Sequence, residues 1–154
     1  MAAVREEMVG VVSCLPDKYN VGLVTYGRNA HIYEFASKIN TNYCINGTKE
    51  YNVVQIMDLI GIIVKNDPQS QSSDMNKRFI VPLSEYRESI LTRIRNLRPE
   101  RHIYVNERKH SCLGQALNIS ISMAEVSVLS TRIVYLVGNP CTAGVGMTIG
   151  ANFK

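Results

Sequence analysis

Cys141 is the side chain whose type and setting come nearest to those of a nucleophile. It stands in a glycine-rich loop, Gly138-Asn139-Pro140-Cys141-Thr142-Ala143-Gly144-Val145-Gly146, directly after an apolar run. A thiol enzyme needs a base beside its sulfur, and His102 and His110 are the candidates. Neither has a spacing that forces proximity, and no helix amino terminus follows Cys141 to favour a thiolate. A half-buried loop cysteine is therefore preferred. His31, on an alternating strand pattern, reads as solvent-facing or hydrogen-bonded rather than as a base.

The same loop invites a second chemistry. Glycine-rich turns that open a helix converge free amides on phosphate. No Gly-Lys-Ser/Thr sequence follows here, and Met147-Thr148-Ile149 is β-prone, so the glycines read as backbone turns. A third possibility is charge. Arg87, Arg93, Arg95, Arg98, Arg101, Arg108 and Lys109 crowd one region, where cations face phosphates or an acidic membrane surface. The plainer alternative is a solvated helix face with a basic carboxyl end, which suits the helix dipole. Seventeen Lys+Arg against thirteen Asp+Glu give a formal charge of +4, too modest to imply nucleic acid.

The elements that must position these residues follow from periodicity. Val4, Met8, Val11, Val12 and Leu15 mark an opening amphipathic helix, ended by Pro16-Asp17. Asn20 to Tyr26 reads as a buried strand, Gly27-Arg28-Asn29 as a tight turn and Ala30 to Phe35 as the paired strand of a hairpin. Tyr43 to Ile45 adds a short strand, with Asn46-Gly47 turning after it. Val53, Val54, Met57, Ile60 and Val64 mark a second helix, preceded by a capping Thr48. Lys65 to Lys77 is polar and reads as a mobile surface loop. Arg78 to Leu83 is extended and broken by Pro82. Ser84 caps a third helix carrying Tyr86, Ile90, Leu91, Ile94 and Leu97, stopped by Arg98-Pro99. His110 to Leu129 is a fourth helix, apolar on most sides. Ile133 to Val137, within the strand Arg132 to Val137, has the continuous apolar pattern of a strand buried on both faces. Met147 to Ile149 is a brief strand after the glycine loop.

Strands alternating with helices predict a doubly wound, mostly parallel α/β sheet with one antiparallel edge hairpin. Such a sheet normally has its first, central strand before its first helix. Here the helix comes first, so the expectation is a single, partial domain over residues 1–154 whose first strand is missing. The chain is 45% hydrophobic, enough for a buried core. No apolar run approaches the ~20 residues of a membrane span, and no signal peptide is evident, so a cytoplasmic location is expected. Cys14, Cys44, Cys112 and Cys141 form no C-x-x-C pair and read as reduced, mostly buried thiols. The sequons at Asn46 and Asn118 read as chance, the second on a buried helix.

Four segments in this order, Val21 to Phe35 (VGLVTYGRNAHIYEF), Arg78 to Leu83 (RFIVPL), His110 to Met123 (HSCLGQALNISISM) and Arg132 to Met147 (RIVYLVGNPCTAGVGM), carry a resemblance. Their arrangement resembles a von Willebrand factor A-type domain. Their detail resembles the trunk domain of the GTPase-activating inner subunit of the COPII vesicle coat. The most specific part is the loop pattern at Gly138, Pro140, Thr142, Gly144 and Gly146. The chain departs from the family's usual pattern at Asn139, where a second glycine is common, and at Cys141, where a small residue is.

The resemblance implies a structural role in vesicle transport from endoplasmic reticulum to Golgi. It implies pairing with the coat's cargo-adaptor subunit, docking of the Sar-type small GTPase, and peripheral attachment to an acidic membrane surface. Arg93, Arg95 and Arg98 are the residues expected to face that membrane. The family's zinc cysteines lie before the trunk, and the arginine it inserts into the GTPase lies in another domain, so the resemblance implies neither a cofactor nor catalysis within these residues. The magnesium-binding Asp-x-Ser-x-Ser of other A-type domains does not occur, and Asn139 holds the position of their later acid, so no metal is expected. The alternatives are a metal-independent A-type binding module with other partners, or a thiol enzyme using Cys141.

Overall fold

Two layers of helix enclose a small sheet, and the alternation of its central strand accounts for both layers. The computed structural model describes residues 2–37, 41–62, 68–100 and 108–150. Strands β2 (Val24–Tyr26), β3 (Asn29–Tyr33) and β4 (Asn42–Asn46) form an antiparallel sheet in the order β2-β3-β4. The register sets Thr25 opposite His31 and Ala30 opposite Ile45. Successive β3 side chains point to opposite faces. Ala30 and Ile32 therefore enter one apolar cluster, with Ile45, Ile56, Met57, Phe79, Ile119 and Met123. Tyr33 enters the other, with Val12, Leu23, Phe35, Leu83, Ile90 and Ile94. The first cluster is closed by α2 (Val53–Leu59), α3 (Pro68–Arg78) and α5 (Leu113–Ser127), the second by α1 (Ala2–Cys14) and α4 (Leu83–Arg95). A second pairing joins β1 (Asn20–Val21) to β5 (Val81–Pro82), also antiparallel. The predicted strand at Asn20 to Tyr26 is thus divided at Gly22-Leu23 between two sheets.

α1 and α4 lie antiparallel, and each supplies the cation for the other's carboxyl end. Arg5 donates to the carbonyls of Arg95 (3.2 Å) and Leu97 (3.1 Å) at the end of α4. Arg87 donates to the carbonyls of Val12 (2.6 Å), Ser13 (3.2 Å) and Leu15 (2.6 Å) at the end of α1, and pairs with Asp17 at 2.6 Å. The last carbonyls of a helix have no intrahelical donor, so these contacts satisfy groups that need partners.

The segment expected to be a mobile loop is largely α3. Its sequence is polar, but Met75 is fully buried, and Phe79 just beyond it is too. Ser72 and Asn76 both donate to the carbonyl of Ser127 at the end of α5, at 2.8 and 3.1 Å. Tertiary anchoring of one apolar residue and two polar ones outweighs weak local propensity. Residues 65–67 of that expectation, and Val64 of the second helix, lie outside the described residues.

Capping is corrected at three helices. α2 is capped by Asn52, which forms a reciprocal capping box with Gln55 (2.9 and 3.0 Å). Thr48 instead donates to Asn46 within the preceding turn. Pro82, not Ser84, holds the N-cap position of α4, with no side-chain bond. α5 begins at Leu113 rather than His110 and ends at Ser127, with Val128 as its C-cap at a left-handed φ of 56°.

The largest departure concerns Arg132 to Val137. It runs without a bend but joins no ladder, and every strand pairing among the described residues is antiparallel. The expected mostly parallel sheet is therefore not formed by these residues. Nor is the segment buried: Val134 is 82% and Val137 58% exposed. An apolar run becomes a buried strand only where a neighbouring strand satisfies its amides and carbonyls. No described strand does so here. Met147 to Ile149 is likewise no strand, because its amides turn back to Gly144 and Cys141.

Candidate functional site

The glycine loop is held by a two-way clamp centred on a threonine. Thr142 is buried, and its hydroxyl accepts the Ser111 amide (2.8 Å) while donating to the Lys109 carbonyl (3.1 Å). The amides of Thr142 and Ala143 return to the Ser111 carbonyl at 2.9 and 3.2 Å. The loop then closes on itself. Thr148 and Ile149 donate their amides to the Cys141 carbonyl (2.9 and 3.3 Å), and the Thr148 hydroxyl adds a third bond at 3.2 Å.

Two of the signature glycines have a physical requirement. Gly144 has φ of 72°, and a side chain there would strike the carbonyl of Gly47. Gly146 has the same left-handed φ of 72°. Gly138 has open space around it and no positive φ, so its setting does not demand glycine. Pro140 is exposed. Gly114, at the start of α5, meets the carbonyl of Val145 closely enough to exclude a side chain. Loop and helix are therefore fitted backbone to backbone, which explains why the two sequence segments occur together.

At Cys141, the sulfur's hydrogen-bond partners among the described residues are backbone carbonyls. Its sulfur is buried, and it lies 3.4 Å from the Ala143 carbonyl and 3.5 Å from that of Val145. Both neighbours are acceptors, and neither can take up a proton as a base would. His110 precedes α5, and His102 lies outside the described residues. His31 pairs across the hairpin with Asn42 at 3.4 Å, in keeping with the expected hydrogen-bonded role. Cys112 is fully buried, and burial pushes its thiol up to about 11, further from reactivity. Tyr26 sits near both sulfurs, with its hydroxyl also raised above its usual range, chiefly by burial. Cys14 and Cys44 are exposed, which corrects the expectation of mostly buried thiols; all four cysteines are free.

The glycine loop does not open a helix, so its amides do not converge as a phosphate cradle requires. Among the described residues no three His, Cys, Asp or Glu side chains gather as metal ligands, and no helix is long and apolar enough to cross a membrane.

The cationic region separates into distinct roles. Arg95 and Arg98 are exposed. The Arg93 guanidinium lies over the Tyr33 ring at 5.1 Å and is half-buried. Arg87 caps α1, as described, and Arg101 lies outside the described residues. Arg5, not singled out in the sequence, joins the group through space.

Sequence reasoning also missed a polar network at the far edge of the sheet. Arg78 pairs with Glu34 at 2.8 Å, donates to the Tyr43 hydroxyl at 2.9 Å and to the Gly61 carbonyl at 3.2 Å. Tyr43 in turn donates to Glu34 at 3.2 Å. The Glu34 bond is the main reason the Arg78 guanidinium is held still more firmly protonated. The Tyr43 hydroxyl is raised, first by burial and then by the Glu34 charge. Residues 34, 43 and 78 share no local spacing, so no sequence signal marked them.

Among the described residues the hydrogen bonds of this arrangement join no thiol or hydroxyl to a histidine or carboxylate around the glycine loop. Its specific feature is a rigid, glycine-dependent loop fitted against one helix, a construction suited to presenting a surface. The profile of the Sec23/Sec24 trunk domain matches residues 1–153. With the loop pattern now placed in space, the chain belongs to the Sec23/Sec24 trunk family, the trunk domains of COPII coat subunits in vesicle transport.

Proposed function

We propose that this chain is a single scaffolding domain of a COPII inner coat subunit, which pairs with the cargo-adaptor subunit and helps dock the membrane-bound Sar-type GTPase. The match over residues 1–153 carries this reading. The clamped glycine loop supports it, since a loop fixed by backbone contacts presents one shape and loses little entropy on association. The mechanism is surface complementarity and not bond chemistry. The role belongs on the cytoplasmic face of the endoplasmic reticulum, with Arg95 and Arg98 towards acidic lipid and Arg93 behind them on Tyr33. Each cation near such a surface contributes about 1 kcal/mol.

Calorimetric titration with the trunk of the cargo-adaptor subunit tests the proposal, with an intact inner-subunit trunk as control. Saturable 1:1 binding is expected. A chain that is folded by circular dichroism yet fails to bind, while the control binds, refutes it. Single-turnover hydrolysis by a Sar-type GTPase should be unaccelerated by this chain. Charge reversal at Arg95 and Arg98 should weaken binding to anionic liposomes; unchanged binding would remove the membrane role.

A further inference from the structure

Asn46-Gly47 is the one Asn-Gly step in the sequence, and the fold arranges its atoms as reactants. Asn46 closes β4 opposite Asn29 and is exposed, so water reaches it. Its side-chain carbonyl oxygen accepts both the amide and the hydroxyl of Thr48, each at 2.8 Å. The first of these bonds spans the intervening residue and folds the Asn46 side chain back over the Gly47 peptide. The two donors also polarise the carbonyl, and they stand where an oxyanion forms if its carbon is attacked. The adjacent nucleophile is the Gly47 nitrogen, whose amide makes no backbone hydrogen bond among the described residues.

Packing fixes the glycine. A side chain at Gly47 would strike the Arg28 carbonyl and the Cys112 side chain. The Gly47 carbonyl in turn occupies the place of a side chain on Gly144. The contact between this turn and the glycine loop therefore demands, next to Asn46, the residue that least hinders approach to its amide nitrogen.

We propose that Asn46 is a self-catalysed deamidation site whose product loosens the glycine loop through Gly47. The Gly47 nitrogen gives its proton to hydroxide and bonds to Asn46 Cγ, while the carbonyl π pair moves to Oδ1 under the two Thr48 donors. Collapse of that oxyanion breaks the Cγ–Nδ2 bond, and the nitrogen takes a proton from water and leaves as ammonia. Water then opens the imide ring. Opening at Cγ gives aspartate, which keeps both Thr48 bonds and strengthens them with its charge. Opening at the main-chain carbonyl gives isoaspartate, whose backbone runs through Cβ and Cγ and is one atom longer. That longer link cannot hold Gly47 against Arg28 and Gly144 together, and Cys112, fully buried against Gly47, is uncovered. The proposal does not depend on the coat assignment.

The folded 154-residue chain is incubated at physiological pH and temperature, beside the same chain unfolded in urea. Peptide mapping follows the exchange of the amide nitrogen for oxygen at Asn46. Deamidation should be at least as fast in the folded chain as in urea. Thr48→Ala, at an exposed position, should slow it about tenfold when folded and leave the rate in urea unchanged, whereas Thr48→Ser should keep the folded rate. In the isoaspartate fraction, Cys112 should alkylate at least tenfold faster than in the unmodified chain. A folded chain that deamidates more slowly than the unfolded one overturns the proposal, because the fold then protects the pair. Equal folded rates for Thr48→Ala and the parent chain overturn it too, as does an isoaspartate form whose Cys112 is no more reactive.

Discussion

Replacing Thr142 by valine removes one oxygen and changes the shape of the loop very little. The consequence is unequal for the two groups that oxygen serves. The Lys109 carbonyl belongs to an exposed residue and regains water. The Ser111 amide does not: Ser111 is 3% exposed, and the Thr142 hydroxyl is its 2.8 Å acceptor. A buried donor left unsatisfied costs about 1–3 kcal/mol, and the methyl that takes the oxygen's place offers it no acceptor, so a net loss of about 2 kcal/mol is expected. With a urea m-value of about 2 kcal/mol/M for a chain of this size, the unfolding midpoint should fall by about 1 M. Thr142→Ser keeps the oxygen and deletes only a methyl, so its midpoint should fall by about half as much or less. Amide exchange at Ser111 should quicken in the valine variant alone. If the two variants unfold at the same urea concentration, the clamp does not hold the loop, and its order comes from the glycine contacts instead.

Val128 is β-branched, 74% exposed and left-handed at φ 56°, so Val128→Gly should stabilise the chain by about 1 kcal/mol; a lower melting temperature would show that the strain is not real. Cys112, neutral when folded and pushed from 9.0 to about 11, makes stability constant below about pH 9 and falling between pH 9 and 11, because the unfolded thiol loses its proton first. Tyr26, Tyr43 and Tyr135, all raised from 10.0, extend the decline, and a Cys112→Ala variant that keeps the full slope between pH 9 and 10 would assign it elsewhere. Native alkylation at pH 8 should label Cys14 and Cys44 well before Cys112 and Cys141; preferential labelling of Cys141 would restore the thiol-enzyme alternative. A double-mutant cycle on Glu34 and Arg78, partly buried and 2.8 Å apart, should give a coupling of about 1–2 kcal/mol, whereas a value near zero would place the pair with ordinary surface ion pairs.

What the sequence revealed was whatever is written in local periodicity. The hairpin at residues 24–33 and helices α1, α4 and α5 come from repeats of two and of three to four residues, and those patterns survive in space. Met75 was the only large apolar residue in its polar stretch, so α3 carried no periodic stripe; its order comes from Ser127, 51 and 55 residues away from its two partners. The error at residues 132–137 was of the opposite kind. Their pattern is that of a buried strand, but a strand is a property of a pair, and periodicity says nothing about whether a partner is present. At the glycine loop the pattern was legible while its reasons were not. Gly144 and Gly114 are glycines because distant carbonyls approach them, and Gly138 has no such neighbour.

The crossed arginines of α1 and α4 have a mechanical consequence. Packed helices commonly adjust to a partner by sliding along their axes, sometimes by a whole turn of ~5.4 Å. Arg5 at one end and Arg87 at the other resist such a slide together, because in an antiparallel pair one shift moves both guanidiniums off their carbonyls at once. The pair should behave as one plank. Force applied to α1 is delivered through α4 to β5 and β1, and the yielding point lies at the joints around that plank and not within it.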